Sequence, residues 1–564
     1  MRLDRNIITT CILVPALLVQ AVPALAQSLA PRLAVPDAGQ VLTPPSLERP
    51  EILSPPPVRQ DLALPQPDAA KLHFRSVRVI GAKMVPEARI AALFDAIKDR
   101  DITAAELKPV LDQANALYDK AGYPLGRALV PPQRIRNGVL AVRVVEGYVE
   151  KIEIAADNER TRALVERMAA PITRSRPLTR AALEHAILLI QDIRGLTLAS
   201  KFAAMNPETG GTTLLLRVNI NWVTANLALD NRANVAGLPS LPFVVGSFNN
   251  LLGWGDQISL TALLSPRQKD SAFYGASISR LVGEDGLSIS LDGQWAQTLD
   301  RISLRPFQVR NRSERLAANL LYPYLRGATE NLNFLGSLYY SDAIYNLVDF
   351  GTLAHDKNLI MQLGADYARF FTPELVLNGG VRLTQGLASF TGEPHTRLHT
   401  VAGFTKLRGA LRVTWRPLDN LSVTLATTGQ YSPQSLIASE TLAFGGPAYG
   451  RGFDTAAISG SNGLGMTLQP EYRITLGGGW SFTPYPLLDY ARTYNRKADL
   501  LPSGELISAG VGARLTRDGV GGLTLELAKP LNPVRRTSRD PEWRGYLGLN
   551  INVDGTLSFI ERNL

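Results

Sequence analysis

The chain has 564 residues, with 59 Lys plus Arg against 50 Asp plus Glu, and a net charge of +9. Its apolar content of 45% and mean hydropathy of zero exclude a multispan helical membrane protein. They do not exclude a transmembrane barrel, in which only alternate residues of each strand meet lipid. The basic residues stand singly rather than in blocks, which argues against nucleic-acid binding and fits a polar lumen, loops and an anionic lipid surface.

Residues 1–26 read as a signal peptide. Arg2 and Arg5 give a positive start, 7–22 is mostly apolar, and Ala24-Leu25-Ala26 offers the small residues a signal peptidase needs, so Gln27 would begin the mature chain. A membrane-anchor helix is the competing reading, but the apolar stretch is short and broken by Pro15 and Pro23. Cys11, the only cysteine, falls inside this segment. The mature chain would therefore hold no disulfide, thiolate metal site or thiol nucleophile. Residues 27–70 form a linker in which ten prolines lie between Pro31 and Pro67, a composition that favours polyproline II over a packed core.

Residues 71–148 have the pattern of a small α/β unit. A strand carries Phe74, Val77, Val79 and Ile80. Pro86 opens a helix with Ile90, Leu93, Phe94 and Ile97 on one face. Thr103, with Glu106 three residues on, predicts a capping box for a second helix ending at Gly122. Strands over 125–130 and 139–145 follow, turned by Asn137-Gly138. The order recurs over 149–219: a strand over 149–154, helices over 161–168 and 178–193, and strands over 196–202 and 212–218. Two copies suggest a tandem array.

From 220 to 564 helical periodicity gives way to period 2, broken by Gly, Asp, Asn and Pro. Leu411, Val413 and Trp415 alternate with Arg412, Thr414 and Arg416; Pro417-Leu418-Asp419-Asn420 turns the chain, and Leu421, Val423 and Leu425 resume. This length accommodates about 16 membrane strands with their connections. Trp254, Tyr322, Tyr324, Trp415 and Tyr431 fall near strand ends, where an interfacial girdle would lie. A soluble all-β protein such as a propeller is the alternative. In lipid, open sheet edges are not tolerated, so the membrane version must close on itself.

Chemical motifs are sparse. His395 and His399 have faint metal-ligand spacing but sit in a Gly- and Pro-bearing loop. The glycines near 445, 460–465 and 519–522 lack the strand–loop–helix and Lys of a phosphate site, and no nucleophile elbow occurs. No cofactor, metal or catalytic residue is therefore expected. One constellation stands out: Tyr449-Gly450-Arg451-Gly452-Phe453, with Asp489 on the polar face of an otherwise apolar strand. The residues alone favour a solvated loop arginine. The alternative is an arginine threaded into the lumen and paired with Asp489, since a charge buried there needs a partner.

With these motifs the chain resembles the outer-membrane transporters of two-partner secretion, the haemolysin and filamentous-haemagglutinin secretion/activation type (TpsB). That family belongs to the barrel superfamily carrying polypeptide-transport-associated (POTRA) domains. Tyr123-Pro124 and Val142-x-Val144-x-Glu146-Gly147 are similar to its first POTRA. Asp230-Asn231-Arg232 and the segment from Asn249 to Gln257 resemble its barrel entry. Gly450-Arg451-Gly452-Phe453 matches its Val-Arg-Gly-Tyr loop with two substitutions, and Leu487-x-Asp489-x-Ala491 matches its Phe-x-Asp-x-Gly strand only at the Asp. The resemblance implies a mainly β protein: a 16-stranded transmembrane β-barrel behind two POTRA domains. It also implies an Arg451–Asp489 lock on a lumen loop, with Gly452 permitting the bend and Phe453 packing on the wall. Its partners would be an unfolded TpsA-like exoprotein, outer-membrane lipids and, during biogenesis, the barrel-assembly machinery. An insertase of the same superfamily and a diffusion porin are the alternative functions; a surface enzyme or adhesin has no site to support it. The family's plug helix has no clear counterpart in 28–70, and the last strand ends either near Val553 or at Phe559.

Overall fold

The computed structural model describes residues 72–135, 137–231, 241–263, 271–300, 308–348, 350–389, 403–495, 503–533 and 543–553. The leader, the proline-rich segment with any plug helix, Arg232, the His395/His399 loop and the chain beyond 553 lie outside the described residues.

In the first α/β module, strand Ser76–Ile80 lies parallel to Val139–Glu146, which pairs antiparallel with Gly126–Leu129. Helix Ala104–Lys120 covers this sheet and starts on the expected capping box, with the Glu106 amide donating to Thr103 Oγ and the Thr103 amide donating to Glu106 Oε2 at 2.9 Å. Asn137 and Gly138, at φ 56° and 70°, lead into the central strand, but the connection from Leu129 spans 130–138 and is longer than the tight turn expected. The helix opened by Pro86 is shorter than its periodicity predicts. It runs only over Glu87–Ala92, and a 3₁₀ turn over Asp95–Ile97 follows. Three residues per turn align Phe94 with Ile97, so both still reach the core. Glu146 ties the module together: it accepts from the amides of Lys83 and Met84 at 2.6 and 2.7 Å and from the Tyr118 hydroxyl at 2.9 Å. Burial and this hydrogen bond push the Tyr118 hydroxyl well above its usual pKa.

The second module repeats the topology. Tyr148–Ala156 is parallel to Gly211–Ile220, which is antiparallel to Leu196–Phe202, and helices Glu159–Arg174 and Arg180–Gln191 pack above. The first helix runs six residues past the expected 168 despite Pro171. Leu164, Val165, Met168, Ala169 and Ile172 are all buried on its inner face, and that packing outweighs the lost backbone bond.

Sixteen antiparallel strands then close into a barrel. The first is Val223–Asp230 and the last Arg544–Asn552; the twelfth is broken at Arg473 into Asn462–Tyr472 and Ile474–Gly477. Alternation puts Leu407, Leu411 and Trp415 outward and exposed, while Lys406 is buried inside. Asp419 and Asn420 form the tight turn between the tenth strand, Thr405–Leu418, and the eleventh, Leu421–Tyr431. Trp254, Tyr322, Tyr324, Trp415 and Tyr431 are all exposed. The closing seam is short, pairing Gly548 with Asp230 through Asn552 with Asn226. Asn231 lengthens it: its amide donates to the Leu547 carbonyl, and its side chain accepts from the Leu547 amide at 2.9 Å. The Asn of the Asp230-Asn231-Arg232 segment thus closes the cylinder.

Candidate functional site

Residues 432–461 connect the eleventh and twelfth strands and fold into the lumen rather than outward. Two short strands, Leu442–Phe444 and Ile458–Gly460, pair to make a tongue. Leu442, Phe444, Phe453, Ala457 and Ile458 pack on Ala491 and Leu506 of the wall, so Phe453 is buried against it. At the tip Gly450 takes φ +85°, a conformation that favours glycine, and Phe453 donates its amide to the Gly450 carbonyl at 2.9 Å. The expectation that Gly452 permits the bend is corrected here. Gly452 has no left-handed backbone; a Cβ there would lie 2.6 Å from the Lys529 carbonyl carbon, so its role is close approach to the wall.

The wall opposite Arg451 is polar because strand register makes it so. Asp489 on the thirteenth strand, Trp480–Tyr494, pairs with Thr467 on one side and Ser508 on the other. All five guanidinium protons are used. Nε and Nη2 donate to Asp489 at 3.1 and 2.8 Å, and Nη2 also donates to Thr467 Oγ1 at 2.7 Å. Nη1 donates to Gln469 at 2.7 Å and to Glu526 at 3.4 Å. The Arg451 amide donates to Asp489 at 2.8 Å, and its carbonyl accepts from the Tyr546 hydroxyl at 2.5 Å. The side chains of Arg451, Asp489 and Glu526 are 6%, 0% and 2% exposed. A buried arginine with every donor satisfied and two carboxylates beside it is a fixed structural point.

Glu526, Thr467, Gln469 and Tyr546 were not singled out in the sequence. Glu526 had a signal, a lone carboxylate between Leu525 and Leu527 on a period-2 strand. A second set was also missed: Glu440 of the loop is paired with Lys406, with the Tyr339 hydroxyl donating to it. Among the described residues no three His, Cys, Asp or Glu gather to hold a metal.

At the opposite end, the barrel-entry segment seats the second module. Asn250 is fully buried at φ 52°; its Nδ2 donates to Thr161 Oγ1 at 2.9 Å, and its Oδ1 accepts from the Gly255 amide at 2.9 Å. Asp256, 3% exposed, accepts from the amides of Leu252 and Trp254. Arg326 and Asp192 add a bidentate pair with both contacts at 2.7 Å, and Arg174 reaches Glu284 at 3.1 Å. Replacing Asn250 by Ala leaves the Thr161 hydroxyl and Gly255 amide without partners and is expected to cost about 2 kcal/mol of docking. Protease accessibility of the 156–180 segment in the purified, detergent-solubilised protein will rise while the barrel stays folded; unchanged protection would show that the seat does not depend on Asn250.

A family model for the POTRA domain, ShlB-type, matches residues 72–147. A second, described as haemolysin secretion/activation protein ShlB/FhaC/HecB, matches residues 217–515, more than half of the chain. The chain is 22% identical to the heme/hemopexin transporter protein HuxB of Haemophilus influenzae, over 79% of this chain and 81% of that protein. Among solved structures, CdiB from Escherichia coli matches with a TM-score of 0.65 at 21% identity, covering 86% of this chain and 91% of that one. CdiB from Acinetobacter baumannii matches with 0.59 at 18% identity, covering 98% and 100%. At these identities the structural likenesses establish the fold.

Proposed function

Because the chain belongs to the haemolysin secretion/activation family of outer-membrane transporters, we propose that its α/β modules capture an unfolded exoprotein in the periplasm and pass it into the barrel without ATP. The barrel lies in the outer membrane and the POTRA module 72–147 in the periplasm. Family members export partner proteins through such barrels; the finer steps are our reading. The second module, of identical topology, acts as a second POTRA domain. Each sheet ends in edge strands, 126–129 in the first and 196–202 in the second, to which an extended cargo segment adds through main-chain hydrogen bonds. Lipids of the outer membrane surround the exposed leucines, and the barrel-assembly machinery inserts the strands.

One observation carries this reading. The lumen is occupied by the barrel's own loop, with Arg451 locked to Asp489 and Glu526 inside it. A diffusion porin can also fold a loop into its bore, but it has no use for periplasmic modules docked at its mouth. Arg451 is the lock, Asp489 its main partner, Gly450 the turn, Gly452 the close approach and Phe453 the apolar seat. The test is co-production, in a Gram-negative host, of this chain and an exoprotein that carries a secretion domain. Cargo is expected in the medium only when this chain is present. Cargo retained in the periplasm beside a correctly folded barrel would overturn the reading.

A further inference from the structure

The loop is held at a second place, on the far arc of the barrel. Its first limb buries Leu436 and Ile437 among Ala317, Tyr339, Ile360 and Phe404, and a 3₁₀ turn over Ala438–Glu440 follows. Lys406 Nζ lies 2.6 Å from Glu440 Oε2, with side chains 5% and 6% exposed. The Tyr339 hydroxyl donates to the same carboxylate at 3.2 Å, and Lys406 and Gln430 both donate to the Glu440 carbonyl, at 3.1 and 3.2 Å. Tyr339 is on the seventh strand, Glu330–Leu347, and Lys406 on the tenth. Asp489 and Glu526 are on the thirteenth and the fifteenth, the latter being Gly521–Pro530. The loop is therefore strung across the bore. A cavity of about 590 Å³ lies against it, lined by Arg315, Tyr339, Arg412, Tyr449 and the loop itself.

The two attachments are unequal. Arg451 is bonded to Thr467, Gln469, Asp489, Glu526 and Tyr546, drawn from four strands. Glu440 is held by three residues, its carboxylate by Lys406 and Tyr339 and its carbonyl by Lys406 and Gln430. Between the attachments Leu442 and Phe444 pack on Ala491 and Leu506, on the pivot's side of the bore, so a release at Glu440 frees only the limb ahead of them. We propose that Arg451 is a fixed pivot and that Lys406, Glu440 and Tyr339 form a releasable catch positioning the loop across the lumen. Cargo passes when the catch opens and the first limb swings from the seventh and tenth strands toward the pivot. This rests on the export function proposed above. Losing the carboxylate charge strands a buried ammonium, which disfavours the closed arrangement.

The test uses the full chain in planar bilayers and in cells. Glu440→Gln and Lys406→Met are each expected to raise the open fraction at least about tenfold, with unchanged heat-modifiable mobility on gels. The exchange Lys406→Glu with Glu440→Lys is expected to return the channel to its closed state, a recovery that general destabilisation would not give. Because the described residues hold no cysteine, Lys406→Cys with Glu440→Cys can be bridged by a reducible bis-maleimide. Export is expected to stop and to resume on reduction. Wild-type conductance in both single variants, or wild-type export by the bridged protein, would overturn the catch. A wild-type chain that exports nothing would defeat the export reading instead, and the conductance of the single variants would still decide the catch.

Discussion

Removing residues 72–219 will reduce export to the background of cells lacking the chain, while a conducting barrel remains in the membrane. The two halves of this result have separate causes. The strands close through their own ladder: the seam pairs 226–230 with 548–552 and is extended by Asn231, with no contribution from either α/β module. The Arg451 network likewise draws only on the barrel and its loop. Export is lost because the edge strands that would hold an unfolded segment are gone, and nothing then concentrates cargo at the periplasmic mouth. Secretion assays and single-channel recordings on the same preparation separate the outcomes. Full export by the truncated barrel would remove the modules from the mechanism.

Arg451→Ala will have the next largest effect. It leaves Asp489 and Glu526, 0% and 2% exposed, without their cation, and breaking a buried pair this way costs about 3–5 kcal/mol. That exceeds what one tongue packed on Ala491 and Leu506 can absorb, so the loop will leave its seat. Conductance will rise and export will fall at least about tenfold, while strand pairing stays intact. Arg451→Lys should be intermediate, because an ammonium can satisfy Asp489 but cannot also fork to Thr467 and Gln469. Normal export by a normally folded Arg451→Ala protein would end the lock hypothesis.

The local features were legible because local rules govern them. Thr103 and Glu106 lie three residues apart and cap a helix wherever it packs. Leu411, Val413 and Trp415 alternate because a strand has two faces. Asp489 stood out as a carboxylate on the polar side of an apolar strand. Where packing competes with a local rule, the reading slipped: Pro171 sits inside a helix because its apolar face covers a sheet, and the helix at Ile90 tightens into a 3₁₀ turn to bring Ile97 inward.

By itself the sequence determined a two-faced wall and two α/β units, and it favoured a solvated loop for Arg451, which the structure instead buries against Asp489. Only the closed cylinder decided which residues meet across it. Glu526 lies 75 positions from Arg451, and Tyr339 lies 101 from Glu440. Those separations carry no periodic signal, because the angle at which sixteen strands close, rather than any spacing along the chain, brings the partners face to face.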